Sequence, residues 1–303
     1  MFSKQIKTIR RNITAHWDKL MLKPGKSFLN AALADINSNF KNGDSKDEIK
    51  TGFESLVFKK GELIVLSGRS CVGKTSFALS LVKNISLNDK NAAGLIIPGN
   101  MEEAYIGQRL ISICSSVPLC RFKSGKLSLD DYEKIESTVK ALYDSKVFVF
   151  YEPNCSLFSL KEFIKTTVKE CSDSLVIIDG FEYLEDIIDS DKKSLRYNLE
   201  HVIDVIKKCA REFYVPIMLV TDLPDVKDGS EPSIVDFGKQ LIIPHKADKV
   251  LLLSREEPYG TDDYLNAKLI MSKNTSGPKE DLFLKFVPFT SVFYTVITGV
   301  RKN

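Results

Sequence analysis

Short apolar runs alternate along most of this chain with segments whose apolar residues recur at helical spacing. The apolar runs predict buried strands, and they lie at 62–67, 94–98, 147–151, 174–179 and 215–221. The segments with helical spacing predict helices at 74–82, 102–115, 130–143, from 159 onwards, and at 194–213. Ser128 and Asp131 are placed to cap the third of these helices, and Ser159 and Glu162 form a capping box for the fourth.

The pattern changes in the last fifth of the chain, where only strands are predicted. They lie at 249–254, 265–272, 282–287 and 292–297, with short turns rich in glycine or polar residues between them. Alternation of strands and helices followed by a series of strands predicts an α/β fold. We expect a mostly parallel sheet with helices on both faces, extended by antiparallel C-terminal strands.

The N-terminal segment has a different character. Across residues 1–26, apolar side chains recur at helical spacing among seven lysines and arginines and one acid, Asp18, which predicts a basic amphipathic helix. Such a helix packs on its own domain or docks on a partner, and membrane-surface binding is the less favoured alternative. A second helix at 28–40 and a polar linker at 41–47 follow, so we divide the chain into an N-terminal segment, 1–50, and one domain, 51–303.

Composition narrows the class of protein. The chain has 303 residues, of which 43% are hydrophobic and 27% charged, as in ordinary soluble globular proteins. Its net charge of +3 does not by itself indicate a nucleic-acid partner. No apolar run approaches the roughly 18 residues of a membrane span. The six cysteines show no Cys-x-x-Cys pair, which favours reduced thiols and a cytoplasmic location.

The segment between the first strand and the first helix of the domain carries the clearest chemistry. It reads Gly68-x-x-x-x-Gly73-Lys74-Thr75, the pattern of a P-loop, in which backbone N–H groups and a lysine surround the phosphates of a nucleotide. The Thr75 hydroxyl is placed to bind Mg²⁺. The residues expected to contact the nucleotide are Gly68, Arg69, Ser70, Cys71, Val72, Gly73, Lys74, Thr75 and Ser76.

Asp179 supplies the second part of a nucleotide site. It ends the apolar run 174–179, so a buried strand would carry its carboxylate to the sheet edge beside the P-loop. An acid in this position holds Mg²⁺ together with the P-loop threonine. The sequence therefore predicts a magnesium site formed by Thr75 and Asp179.

Several blocks resemble the motor domain of DnaB-type replicative helicases, in that family's order and spacing across about residues 51–297. They are 51–53, the P-loop at 68–77, 100–110, 124–130, 175–179, 206–216, 247–248 and 272–278. The resemblance implies a RecA-like core, ATP and Mg²⁺ bound between subunits, a hexameric ring, and passage of single-stranded DNA through it. It also implies that Lys273 acts on the ATP of the neighbouring subunit.

The chain departs from the family at positions that carry chemistry. Asn100 replaces the glutamate that polarises the attacking water, and an amide cannot accept a proton from water at neutral pH. Asp222 replaces a glutamine that senses the γ-phosphate, where it would substitute for the missing base or repel the nucleotide. Thr275 stands at the position of the arginine finger, and Lys239 is the one cation kept in the DNA-contact segment 238–241.

Three functions are consistent with these residues. The first is an ATP-dependent 5′-to-3′ DNA helicase of reduced efficiency, with Lys74, Lys273, Asn100 and Asp222 at the reaction centre. The second is a degenerate paralogue that binds ATP and joins or regulates a helicase or another replication partner. The third is a RecA-like signalling or recombination ATPase, or a P-loop kinase, in which the likeness extends only to the fold. We expect a DnaB-like ATP-binding protein of DNA replication with attenuated or absent hydrolysis.

Overall fold

The fold is known from a computed structural model that describes residues 47–88, 92–97, 101–152, 155–188, 195–224, 230–255 and 265–296. The predicted helices at 1–26 and 28–40, the linker at 41–47 apart from Asp47, and Asn100 lie outside these residues. Asn100 is therefore placed only by its position in the sequence.

The described strands are β1 (Glu48–Lys50), β2 (Val57–Lys59), β3 (Leu63–Gly68), β4 (Ala92–Ile97), β5 (Val147–Tyr151), β6 (Ser174–Asp179), β7 (Ile217–Asp222), β8 (Lys249–Arg255), β9 (Leu265–Asn274), β10 (Leu282–Val287) and β11 (Val292–Thr295). The described α-helices are α1 (Lys74–Lys83), α2 (Glu103–Ser115), α3 (Leu119–Ser124), α4 (Leu129–Tyr143), α5 (Leu157–Glu170), α6 (Glu185–Ile188), α7 (Leu195–Glu212) and α8 (Ile242–Lys246). Shorter helical turns lie at Asn84–Asn88, Phe181–Tyr183 and Ile234–Gln240.

A nine-stranded sheet organises these elements, in the order β11-β10-β9-β8-β3-β7-β6-β4-β5. The six strands from β8 to β5 run parallel, and β9, β10 and β11 add to them in antiparallel register. This arrangement confirms the expected mostly parallel sheet with an antiparallel extension. β1 and β2 form a separate two-stranded ribbon just before β3, and sequence reasoning did not predict it.

Both faces of the sheet are buried at its central strands, because alternate residues of these strands enter different cores. On β3, Ile64 and Leu66 belong to the core under α1 and α2, whereas Leu63 and Val65 belong to the core under α5 and α7. β3 lies between β7 and β8, in the middle of the sheet. A strand buried on both faces is rigid, so it gives the loop after Gly68 a fixed base.

Most predicted elements are confirmed to within a few residues, and the errors have physical causes. Ser128 and Asp131 form a reciprocal capping box before α4, as predicted. The predicted start of the next helix at Ser159 is wrong, since α5 begins at Leu157 with Ser156 as its cap. The turn at 234–240 and the short helix α8 were not predicted, because neither is long enough to show a helical period.

The described helices offer no membrane span: none of them combines the necessary length with a sufficiently apolar sequence.

Candidate functional site: a P-loop cleft

The candidate site is a cleft at the carboxyl ends of the central parallel strands. Gly68 ends β3 and pairs in register with Asp222, the last residue of β7. Asp179 ends β6 and pairs with Val220 of β7. The strand order thus brings three predicted site residues to one edge of the sheet, the edge at which open α/β sheets bind ligands.

Two glycines shape the P-loop itself. A Cβ atom on Gly68 would lie 2.5 Å from the Leu253 carbonyl oxygen of β8, so no larger residue fits there. Gly73 has a φ of 108°, in the left-handed region, and a Cβ on it would meet the Phe293 ring at 3.1 Å. These constraints produce the tight turn that aims backbone N–H groups and the N-terminus of α1 into the cleft.

Lys74 contacts both the start of the P-loop and the end of β7. Its ammonium donates hydrogen bonds to the carbonyl oxygens of Gly68 at 3.1 Å and Arg69 at 2.7 Å. The same ammonium forms an ion pair with Asp222. The second oxygen of that carboxylate accepts a hydrogen bond from the Ser70 hydroxyl at 3.2 Å. A carboxylate therefore contacts the lysine that phosphates contact in P-loop proteins.

Asp179 lies at the floor of the cleft and is 8% exposed. The Thr75 hydroxyl lines the same cleft and acts on the Asp179 carboxylate, so the two residues predicted to hold Mg²⁺ lie close together. Burial raises the pKa of Asp179, while the Thr75 hydroxyl and the charges of Arg109 and Lys74 oppose that shift. Its Oδ2 atom is buried without a hydrogen-bond partner.

Arg109 of α2 brings a further cation to the cleft. Its guanidinium donates to the Ser76 hydroxyl at 2.6 Å, and its Nε is buried without a partner. Burial lowers the pKa of Arg109, and the charge of Asp179 acts in the opposite direction. Sequence reasoning noted this arginine only as part of a family block.

Glu182 is a site residue that sequence reasoning missed. Gly180, with a φ of 82°, turns the chain after β6 into the helical turn Phe181–Tyr183, and this turn brings Glu182 to the cleft. Its Oε2 atom is buried without a hydrogen-bond partner. Burial raises the pKa of Glu182 to about 7. The residue's own backbone N–H and the charge of Lys74 oppose the shift, and the negative charges of Asp222 and Asp179 add to it.

The antiparallel extension contributes the remaining wall. The Arg255 guanidinium lies 4.5 Å from the centre of the Phe286 ring and donates to the Cys71 carbonyl oxygen at 3.0 Å. A flat cation on an aromatic ring gives a stacking surface for a planar ligand group. This contact joins β8 to β10, so it was not visible as a sequence motif.

The cleft has a volume of about 430 Å³, within the range of small-molecule sites. Gly68, Arg69 and Val72, which the sequence placed in the site, do not line it, and Val72 is buried in the core. The lining residues are Ser70, Cys71, Gly73, Lys74, Thr75, Ser76, Met101, Arg109, Asp179, Gly180, Glu182, Tyr183, Val220, Thr221, Asp222, Arg255, Phe286 and Ser291.

Lys273 and Thr275 are not in this cleft. The Lys273 ammonium donates to the carbonyl oxygens of Pro244 at 3.0 Å and His245 at 2.9 Å, near the C-terminus of α8. Burial and the nearby Lys207 lower the pKa of Lys273, and Asp248 opposes the shift. Thr275 and the predicted DNA-contact residue Lys239 are exposed.

The cleft fits a nucleotide triphosphate and Mg²⁺. Among the described residues, buried side-chain nitrogen and oxygen atoms without a partner occur at five positions, and four of these line the cleft. They are Arg109 Nε, Asp179 Oδ2, Glu182 Oε2 and Arg255 Nε. Because buried polar atoms are normally satisfied, their concentration here indicates a polar ligand. Thr75 and Asp179 are the residues that would hold Mg²⁺.

A twisted parallel sheet with a P-loop after its central strand, a buried acid at the end of a neighbouring strand and an antiparallel extension define a RecA-like P-loop domain. The DnaB-like helicase C terminal domain family matches residues 47–295. The chain therefore belongs to that family, as its sequence motifs predicted.

Known relatives agree with this assignment. The replicative DNA helicase DnaB of Treponema pallidum is 25% identical over 257 residues, covering 83% of this chain and 57% of that protein. The probable replicative DNA helicase of Trieres chinensis is 29% identical over 276 residues, covering 88% of this chain and 58% of that protein. The chain thus spans a little more than half the length of these relatives.

Solved structures show the same fold. A structure described as an ATPase domain superposes with a TM-score of 0.77 at 20% identity, covering 88% of this chain and 98% of that one. The structure of a DnaB-like replicative helicase, described with its interactions with primase, gives a TM-score of 0.77 at 18% identity. That match covers 97% of this chain and 76% of the other.

Proposed function

We propose that this chain binds ATP with Mg²⁺ as the motor domain of a replicative DNA helicase and hydrolyses it slowly. The observation that carries the proposal is the P-loop cleft, in which Asp179 is buried at the floor and Thr75 lines the same space. Lys74 and the N-terminus of α1 supply positive charge for the phosphates, and Arg255 on Phe286 supplies a surface for the base.

Slow turnover follows from three substitutions. Asn100 cannot act as a base, Asp222 adds a negative charge beside the phosphate site, and Thr275 cannot stabilise the transition state as an arginine finger does. Removing such a finger typically costs about 10³–10⁵ in rate. Each substitution affects a different part of the reaction, so their effects on rate combine.

The assembly is proposed from family resemblance. A hexameric ring would place Lys273 and Thr275 of one subunit near the ATP of the next, and single-stranded DNA would pass through the ring. Lys273 would first have to leave the carbonyl oxygens of Pro244 and His245, or act while still bound to them. Localisation in the cytoplasm follows from the same resemblance.

The second candidate is an ATP-binding paralogue that does not hydrolyse ATP and that binds or regulates a helicase or another replication partner. The ion pair between Lys74 and Asp222 favours it, because a carboxylate held on the P-loop lysine opposes entry of the γ-phosphate. Thr275, exposed at the arginine-finger position, favours it as well.

An ATPase assay with and without single-stranded DNA separates the two candidates. Turnover above that of Lys74→Ala, increased by DNA, supports the motor. Tight ATP binding without turnover in the wild type supports the paralogue. In the latter case, turnover recovered by the double variant Asn100→Glu/Thr275→Arg would show that the chain keeps the family's ATP site and lacks only these two catalytic residues.

A further inference from the structure

A group in the P-loop cleft that accepts a proton from the attacking water would accelerate ATP hydrolysis. Asn100 cannot do so. Glu102 and Glu103, its acidic neighbours in sequence, are exposed and are not among the residues that line the cleft. The base must therefore come from another element.

Asp222 is the first alternative, and its contacts argue against it. One of its oxygens is paired with the Lys74 ammonium, and the other accepts a hydrogen bond from Ser70. Its side chain is also 54% exposed. A half-exposed carboxylate at the rim faces bulk water, so it is less suited than an enclosed carboxylate to holding a single attacking water in place.

Glu182 has the opposite properties. It lines the same cleft as Lys74, Thr75 and Asp179, and one of its oxygens is buried without a hydrogen-bond partner. Phosphate oxygens are acceptors and cannot satisfy a carboxylate oxygen, whereas a water molecule donates to it directly. Burial supports the role, because a pKa of about 7 is close to the optimum for a general base at neutral pH.

We propose that the Glu182 carboxylate binds the water that attacks the γ-phosphate and accepts its proton, in place of the base lost at Asn100. The inference rests on the proposed binding of ATP in this cleft. In the step, the water oxygen forms a bond to the γ-phosphorus, and the bond from that phosphorus to the β–γ bridging oxygen breaks with its electrons passing to ADP. The water proton goes to Glu182 and then to the released phosphate.

The placement of Glu182 gives it a role distinct from that of Asp179. Asp179 lies at the end of β6, in the same cleft as Thr75, whereas Glu182 is three residues later on a separate helical turn. Loss of a metal ligand changes the Mg²⁺ concentration needed for ATP binding, whereas loss of a base changes only turnover. The two roles are therefore separable by experiment.

The test compares the wild type with Glu182→Gln, Glu182→Asp and Glu152→Gln. Glu152 is a matched control, because its Oε2 is also buried without a partner but it does not line the cleft. For each protein, the Kd for ATP is measured over a Mg²⁺ titration, and release of phosphate is measured in a single turnover. A thermal unfolding scan checks that each variant is folded.

We expect Glu182→Gln to bind ATP within about threefold of the wild type and to release phosphate about 10²–10⁴-fold more slowly, the usual contribution of a general base. The rate of phosphate release should fall less in Glu182→Asp than in Glu182→Gln. In Glu152→Gln, both the Kd for ATP and the rate of phosphate release should equal those of the wild type. Wild-type turnover should rise with pH through the titration of Glu182, and that rise should be absent in Glu182→Gln.

Three results would overturn the inference. One is a Glu182→Gln variant with the wild-type rate. Another is a shifted Mg²⁺ requirement for ATP binding in that variant, which would make Glu182 a metal ligand. The third is a wild type that binds ATP and releases no phosphate, which leaves the proposed ATP binding intact. A wild type that binds no ATP would instead remove the proposed function, and this inference with it.

Discussion

The ammonium of Lys74, the first residue of α1, is paired with the carboxylate of Asp222, the last residue of β7. A P-loop lysine ordinarily meets the β- and γ-phosphates of a nucleotide. In this chain the Asp222 carboxylate contacts Lys74 instead, and its second oxygen accepts a hydrogen bond from the Ser70 hydroxyl. Nucleotide binding must therefore displace Asp222 from Lys74 or accommodate two anions beside one cation.

The first prediction concerns this ion pair. Asp222→Asn should tighten ATP binding by about 1.4- to fivefold, because a half-exposed pair is worth roughly 0.2–1 kcal/mol and the phosphates no longer compete with it for Lys74. Equilibrium binding of ATP measures the change. Asp130→Asn, which removes an exposed pair with Lys134 elsewhere, serves as the control. Weaker binding by Asp222→Asn would show that Asp222 contacts the nucleotide or its metal favourably.

The second prediction concerns stability and the raised pKa of Glu182. Its folded pKa of about 7 lies above the ordinary value of 4.5. The carboxyl group therefore favours the folded state while protonated, and this contribution is lost as pH rises through about 7. Glu182→Gln cannot ionise, so its stability relative to the wild type should increase with pH.

Above pH 8, the free energy of unfolding of Glu182→Gln should exceed that of the wild type by on the order of 1–3 kcal/mol, since each pKa unit corresponds to about 1.4 kcal/mol. Urea denaturation of the nucleotide-free proteins at pH 5.5 and pH 8.5 measures it. Asp222, Asp179 and Lys74 are the charged groups that act on Glu182, so Glu152→Gln again serves as the control outside the cleft. An equal difference at the two pH values would contradict the assigned burial of Glu182.

The third prediction concerns a buried ion pair at the amino-terminal ends of β3 and β8. The Lys249 ammonium donates to both Glu62 oxygens, at 2.8 and 2.7 Å, and to the Ser276 hydroxyl at 2.7 Å. Its side chain is 3% exposed. Lys249→Met should lower the free energy of unfolding by about 3–5 kcal/mol, because it leaves the Glu62 charge buried without its cation.

Chemical denaturation measures this loss. Lys161→Ala removes the exposed pair with Glu212 and should cost at most about 1 kcal/mol. The double variant Glu62→Leu/Lys249→Met should recover most of the loss, since it removes both charges. A cost below about 1 kcal/mol for Lys249→Met would mean that the pair is hydrated rather than buried.

The sheet and the phosphate loop were predictable because their signals are local. Strands such as β3 and β6 are continuous apolar runs, and the P-loop is one short motif between a strand and a helix. The start of α5 was not predictable in this way. The sequence favours Ser159 as the cap, because Glu162 follows it three residues later. The observed start at Leu157 is consistent with a bond from the Leu157 amide to the Asp186 carboxylate at 2.8 Å, a contact across 29 residues.

The rest of the site depends on contacts that no sequence pattern carries. Glu182 faces the cleft because Gly180 adopts a left-handed conformation, and Arg255 reaches it because β10 places Phe286 beneath the guanidinium. The ion pair of Lys74 with Asp222 depends on the register of β3 against β7. In each case the residue could be read from the sequence, but the group that it contacts could be identified only from the fold.

The fourth prediction concerns nucleic acid. If single-stranded DNA binds through phosphate contacts, its affinity should fall with salt, with a log–log slope of about −0.7 per phosphate contacted. Exposed Lys239 should account for about one such contact, so Lys239→Gln should make the slope shallower by roughly that amount. Lys134→Gln, at an exposed lysine paired with Asp130, should leave it unchanged. An affinity for single-stranded DNA that does not depend on salt would contradict DNA binding through phosphate contacts.

The central claim is that the P-loop cleft binds a nucleotide triphosphate with Mg²⁺, and equilibrium binding of ATP with and without Mg²⁺ tests it most directly. We predict saturable binding by the wild type that is strengthened by Mg²⁺ and reduced at least about tenfold in Lys74→Ala, equivalent to about 1.4 kcal/mol. Absence of Mg²⁺-dependent binding in a folded wild-type protein, or equal binding by Lys74→Ala, would contradict the account.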